Sequence, residues 1–268
     1  MFCYLAMFPF IINHDPWVLP TFFFMVMVAS VVATFFLYWQ APKKGFSQIA
    51  VLDISLFGTL GGIIGARLFH VFVEAPSYYW EDPIRVFYVW QGGFVGYGAF
   101  IGIMASTLLY VFVKKLPLLG YADFVATACP FIIFFVRVGC LGAGCCYGKP
   151  THFWLHLSFT DPASDAGSDF PGVKLHATQL YDMANAAFIF FFLQWFYPRR
   201  KFKGQIFLLF LMMYAFFRFF IECLRGDADR GVYLDGLIST SQVTGIVIIA
   251  VCSIFYFVWQ KKYKITAL

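Results

Sequence analysis

Long apolar runs recur along this chain, and they constrain its fold more than any other feature. Seven are long enough to cross a bilayer as helices: 19–39, 53–73, 92–113, 122–143, 178–197, 205–224 and 236–259. A spanning helix needs about 20 predominantly apolar residues. Hydrophobic residues make up 61% of the chain and charged residues 12%, with a mean hydropathy of +0.77. That leaves too little polar surface to cover a soluble domain of 268 residues. The expectation is an all-α, polytopic membrane protein, one integral membrane domain over 1–268. Residues 1–12 are apolar but short and lack a basic region, so they read as an interfacial segment rather than a cleaved signal peptide.

Charge sets the orientation. Lys43, Lys44, Lys114, Lys115, Arg199, Arg200, Lys201, Lys203, Lys261, Lys262 and Lys264 follow helices 1, 3, 5 and 7, and they are 11 of the 19 basic residues. The alternate connections hold Asp15, Glu74, Glu81, Asp82, Asp161, Asp165, Asp169, Asp227 and Asp229. Cytoplasmic loops carry the excess of lysine and arginine. Seven helices therefore run with the N-terminus outside and the C-terminus in the cytoplasm. The net charge of +5 is an orientation signal and does not indicate nucleic-acid binding. One long connection, 149–175, falls on the outer side as a lid, a substrate guide or a surface arm. Trp90, with Trp80 and Tyr88, is among the aromatic residues placed near helix ends, as interfacial belts are.

Arg67, Arg137 and Arg218 lie inside the apolar runs, and Glu222, one turn after Arg218, is the acid placed as deeply. A charge at bilayer centre costs about 2.5–3.5 kcal/mol on insertion scales. Surplus buried positive charge points to an anionic partner, and a lipid phosphate is the commonest anion inside a bilayer. Arg137 precedes glycines 139, 142, 144 and 148, which permit close backbone approach. A guanidinium there suits a phosphate better than snorkelling does, because snorkelling gives the glycines no purpose. Tyr214, Arg218 and Glu222, four residues apart, share one helix face. The alternative for that stripe is a self-neutralising Arg218–Glu222 pair. Tyr97 stands in a glycine run (92, 93, 96, 98, 102) that tight helix packing largely explains. It is also a proton-transfer candidate, as is His176 in the segment LHATQLYD. Arg67 shares a face with His70 and reads as a packing partner more than as a third phosphate ligand.

Seven cysteines stand at 3, 129, 140, 145, 146, 223 and 252, an odd and scattered set that does not form a disulfide framework. Cys140, Cys145 and Cys146 cluster, but no matching histidine or cysteine motif accompanies them, so the expectation is packing residues and no metal.

The segments GGIIGARLFHVF, WQGGFVGYGAFIG, RVGCLGAGCCYGKPT, HATQLY, YAFFRFFIECLRGD and GLISTSQ occur in this order between about residue 45 and residue 259. Together they resemble the prolipoprotein diacylglyceryl transferases of bacterial inner membranes. The resemblance implies seven spans, an active site toward the periplasm, and transfer of the diacylglyceryl group of phosphatidylglycerol to the lipobox cysteine of a prolipoprotein signal peptide. That is the first step of lipoprotein maturation, with no cofactor. It assigns Arg137, Arg218 and Gly148 to phosphatidylglycerol binding among the membrane lipids and gives Tyr214 and Glu222 the roles of the family's other essential stretch; the candidates for the catalytic base are Tyr97, His176 and Glu222. Tyr97 stands where members often have histidine. Cys140, Ala143 and Cys145 stand where they usually have asparagines and an acid. The rival readings are a transporter or channel for an anion or lipid, and a redox or metal protein.

Overall fold

A computed structural model describes residues 8–14, 17–88, 92–227, 232–233 and 238–263. Cys3, Asp15, Trp90, Asp229 and Lys264 lie outside them. The chain forms two compact units, one of Met1–Ala33 with Ala122–Leu268 and one of Thr34–Tyr121. The architecture is helical, with three two-stranded antiparallel pairs among the described residues: β1 (Phe10–His14) with β2 (Trp17–Pro20), β3 (His156–Ser158) with β4 (Lys174–His176), and β5 (Val232–Tyr233) with β6 (Ile238–Ser239).

Among the described residues, five helices are long and apolar enough to cross a membrane: α1 (Thr21–Gln40), α2 (Gln48–Phe69, continuing as a wider turn to Glu74), α4 (Gly96–Val113), α9 (Gln205–Cys223) and α10 (Thr240–Lys262). A sixth arises if α5 (Leu118–Ala126) and α6 (Cys129–Ala143), bent by 40°, count as one span. Pro130 occupies the start of α6, where its missing N–H costs no helical hydrogen bond. Lipid-facing positions carry large apolar side chains in the open, such as Val31, Phe72 and Phe191, each at least 68% exposed. Only a non-aqueous surrounding tolerates apolar exposure on this scale.

The run expected as a span at 178–197 is α8 (Thr178–Phe196). It is long enough, but Gln179, Asp182, Asn185 and Gln194 interrupt its apolar character, so length and composition alone give five or six spans rather than seven. The starts expected at 53 and 122 fall earlier, at Gln48 and Leu118, and those expected at 92 and 236 fall later. Gly92 and Gly93, at φ 84° and 77°, precede α4, because left-handed backbone is incompatible with a helix. The last helix starts at Thr240 instead of 236, where Ser239 and Gln242 exchange side-chain and backbone hydrogen bonds as a capping box. The GLISTSQ segment thus ends in a helix cap.

In the Thr34–Tyr121 unit, α2 and α4 pack along their length. A side chain at Gly102 would meet the Gly61 carbonyl, and one at Gly65 the Gly98 carbonyl. The glycine run therefore does what tight packing requires. The short α3 (Pro76–Glu81) follows α2, and Tyr79 on it meets His70 Nδ1 at 3.0 Å.

In the other unit, α6, α8, α9 and α10 pack in sequence. Asp123 receives N–H bonds from Gly204 (2.8 Å) and Phe207 (3.0 Å), anchoring the start of α9 as an anion at a helix N-terminus does. The 149–175 connection is folded. β3, β4 and α7 (Asp165–Asp169) close over a core of Tyr147, Leu157, Phe159, Ala166, Leu175 and Ala177.

Candidate functional site

Three helices of the first unit converge on one carboxylate. Asp182, on α8, accepts from Arg137 Nε at 2.8 Å and from Arg218 Nη1 at 3.3 Å through the same oxygen, Oδ2. Arg137 comes from α6 and Arg218 from α9. Arg218 Nη2 also reaches Glu222 Oε2 at 2.5 Å, and Arg225 Nη1 lies 3.8 Å from that oxygen. Arg225 in turn donates from Nε to Asp227 at 2.9 Å. Burial opposes charge on Arg225, but Asp227, Cys146 and Glu222 hold its pKa above the ordinary arginine value.

Arg137 and Arg218, two of the three arginines from the apolar runs, thus meet at one carboxylate. Their charge is not in surplus there. The sequence reading saw one deep acid, and the fold supplies Asp182 as a second, so Arg137 and Arg218 rest against Asp182 and Glu222. The signal available for Asp182 was its place one turn into a long helix, four residues after Thr178.

The start of α8 also fixes the segment after α6. Thr178 Oγ1 donates to the Cys146 carbonyl and Gln179 Nε2 to the Cys145 carbonyl, each at 2.8 Å. The chain then runs beside the end of α9: Lys149 N–H bonds to Leu224 at 2.8 Å and Gly226 N–H to Tyr147 at 3.0 Å. Gly148 faces Arg225 in this pairing, and a Cβ there would collide with the His176 backbone. Gly148 is therefore needed for a close backbone crossing that brings the loop to Glu222 and Arg225.

The other expected site residues divide. Tyr214 is half-buried and within electrostatic reach of Arg137. Glu222 is buried and engaged with Arg218, which makes the self-neutralising pair real and extends it to Asp182. His176, on β4, lies 3.4 Å from the Tyr181 hydroxyl through Nδ1 and makes no ion pair with these arginines among the described residues. Tyr97 belongs to the second unit, 70% exposed near the start of α4. Arg67, in that unit, donates to the carbonyls of Arg85 (2.7 Å), Val86 (3.0 Å), Tyr88 (3.3 Å), Gly93 (3.3 Å) and Gly92. It is a packing residue, its guanidinium taken up by backbone carbonyls rather than left for a phosphate.

Two features went unanticipated. Asp182 Oδ1 and both polar atoms of Asn185, one turn further along α8, are buried with no hydrogen-bond partner among the described residues. Such orphans are uncommon enough to require an explanation. In addition, Cys140, Cys145 and Cys146 bring their sulfurs within 4.8 Å of one another, with Arg137 Nη1 3.7 Å from Cys140 Sγ. A left-handed Gly144 (φ 68°) and Cys146 (φ 59°) fold the segment back on itself.

The sequence profile of the family described as prolipoprotein diacylglyceryl transferase matches residues 9–259. A Clostridium tetani protein named phosphatidylglycerol–prolipoprotein diacylglyceryl transferase is 30% identical over 87% of this chain and 90% of its own length. A Paracidovorax citrulli protein of the same name is 33% identical over 82% of this chain and 79% of its own. The second such transferase of Clostridium perfringens is 30% identical over 84% and 85%, respectively.

Proposed function

The chain belongs to the prolipoprotein diacylglyceryl transferase family, and from that premise we propose that it transfers the diacylglyceryl group of phosphatidylglycerol to a prolipoprotein cysteine. It is a multi-pass membrane transferase of lipoprotein biosynthesis. The finer assignments in this reading are seven spans including α8, a bacterial inner-membrane location, a periplasmic-facing site and the lipobox cysteine as acceptor.

One observation carries the site assignment: Arg137 and Arg218 meet at Asp182 Oδ2 from different helices. Two guanidiniums aimed at one point form an anion site. The carboxylate that fills it at rest can share or yield it to a lipid phosphate. The neighbouring orphans, Asp182 Oδ1 and the Asn185 amide, offer acceptors and donors to the two hydroxyls of a glycerol headgroup.

The transfer breaks a carbon–oxygen bond at the glyceryl carbon as sulfur bonds to that carbon. The leaving glycerol phosphate is an anion, so positive charge fixed at the phosphate in a dry site lowers the barrier. One such preorganised donor is worth about 2.7–4 kcal/mol. Glu222 orients Arg218, and Asp182 sets the spacing of the pair. The acceptor thiol, with an ordinary pKa of about 8.5, must lose its proton to attack. His176, Tyr97 and Glu222 are the side-chain bases to test, with Tyr214 a hydroxyl in reach of Arg137.

Purified protein in phosphatidylglycerol vesicles should add a diacylglyceryl mass to a lipobox cysteine peptide, while Arg137→Ala adds none. Near-normal turnover by that variant rejects the assignment.

A further inference from the structure

The transfer chemistry above leaves Cys140, Cys145 and Cys146 without a role. Their sulfurs lie within 4.8 Å of one another. In a tetrahedral site with zinc–sulfur bonds of about 2.3 Å, the sulfurs sit roughly 3.8 Å apart. Small side-chain rotations therefore close this triangle on a cation.

The backbone beneath the sulfurs is fixed from outside the cluster. Thr178 and Gln179 hold the carbonyls of Cys146 and Cys145, and the Cys145 N–H bonds to the Cys140 carbonyl at 3.1 Å. Cys146 adopts a φ of 59°, a backbone conformation unusual outside glycine, which needs surrounding contacts to persist.

Charge fits as well. Three thiolates around a divalent cation carry one net negative charge. Arg137, 3.7 Å from Cys140 Sγ, and Arg225, within Coulombic reach of Cys146, face that charge. Thiolates select soft or borderline cations over magnesium or calcium. Three protein ligands leave the fourth position of a tetrahedral cation open, the arrangement of catalytic rather than structural zinc sites.

We propose that Cys140, Cys145 and Cys146 bind one thiophilic divalent cation of the zinc class, whose fourth position accepts the thiol of the protein substrate. The second half rests on the transferase reading; the first does not. The acceptor thiol gives its proton to water as it becomes a ligand. The bound thiolate then attacks the glyceryl carbon. A sulfur–carbon bond forms as that carbon's bond to the phosphate oxygen breaks, and glycerol phosphate leaves with the bonding pair. The thioether product is neutral, a weaker ligand, and departs. No oxidation state changes. The location follows from the same geometry, because the cation would sit beside Arg137, which holds the phosphate end of the lipid.

The test uses the full chain in detergent under reducing conditions. Cadmium titration should give one equivalent per chain with a sulfur-to-cadmium charge-transfer band. Affinity should fall at least tenfold in Cys145→Ser and in Cys146→Ala, and should hold in Cys223→Ala, which removes an exposed cysteine outside the cluster. Absence of the band, or equal affinity in the cluster variants, overturns the site. A Cys140–Cys145 or Cys140–Cys146 disulfide in protein purified without reductant also overturns it. In cobalt-loaded protein, a lipobox peptide should shift the visible spectrum, and its Cys→Ser counterpart should not. Equal spectra overturn thiol capture. If chelated, metal-free protein lipidates the peptide at the full rate, the cation's part in transfer falls while the transferase reading stands.

Discussion

Both units of this protein bury arginine in apolar helices, but they satisfy it with opposite chemistry. Arg67 is closed off by five backbone carbonyls of the segment after α3. These acceptors are neutral, and the chain path fixes them. Arg137 and Arg218 rest on the Asp182 and Glu222 side chains, carboxylates carried on α8 and α9 rather than on a connecting loop. A carbonyl cage holds a loop in place; a carboxylate bridge, in the function proposed above, holds a site that a lipid phosphate enters. The cost of burying charge is common to both, so burial alone does not mark function. The identity of the partner does.

Substitutions separate the two kinds of site, and the largest effect is on transfer. Arg218→Gln should lower the rate by about 100- to 1,000-fold, the loss typical of a transition-state anion donor. A rate assay on peptide and phosphatidylglycerol measures it, and a loss below tenfold would put Arg218 in the class of Arg67.

The next effect is on stability. Asp182→Ala leaves two buried guanidiniums without their shared carboxylate and should destabilise by about 3–5 kcal/mol, read from unfolding in mixed detergent micelles. A neutral result would mean that other groups already satisfy the arginines.

Arg67→Met should destabilise by about 3 kcal/mol through lost charge-assisted bonds and stranded carbonyls. Transfer by the folded fraction should stay within a few-fold of the parent. A transfer defect as large as that of Arg218→Gln would erase the distinction between the units.

The smallest effect tests the helix contact beneath Arg67. Gly102→Ala should cost about 1–3 kcal/mol, the range for overpacking, because its methyl meets the Gly61 carbonyl. No change would show that α2 and α4 separate freely.

Much of this was legible in the residues. Apolar runs located the long helices, since hydrophobicity alone commits a 20-residue segment to lipid or core. The four-residue spacing of Tyr214, Arg218 and Glu222 gave their shared face. What escaped depends on contacts between distant segments. Asp182 acquires its meaning from α6 and α9. Arg67 is explained by a loop about twenty residues downstream whose carbonyls carry no side-chain signature. Cys140, Cys145 and Cys146 were a visible cluster in sequence, but the closeness of their sulfurs follows only once Gly144 and Cys146, both at positive φ, turn the chain back. Polar residues in α8 lowered its hydropathy, and two of them, Gln179 and Asp182, bind segments from elsewhere in the chain.

Lipid retention tests the exchangeable-anion claim most directly. Native mass spectra of protein released from mixed phosphatidylglycerol and phosphatidylcholine nanodiscs should show one phosphatidylglycerol held by the parent and by Arg67→Met. The Arg137→Gln, Arg218→Gln double variant should hold none selectively. Equal phosphatidylglycerol retention by the double variant would contradict the account.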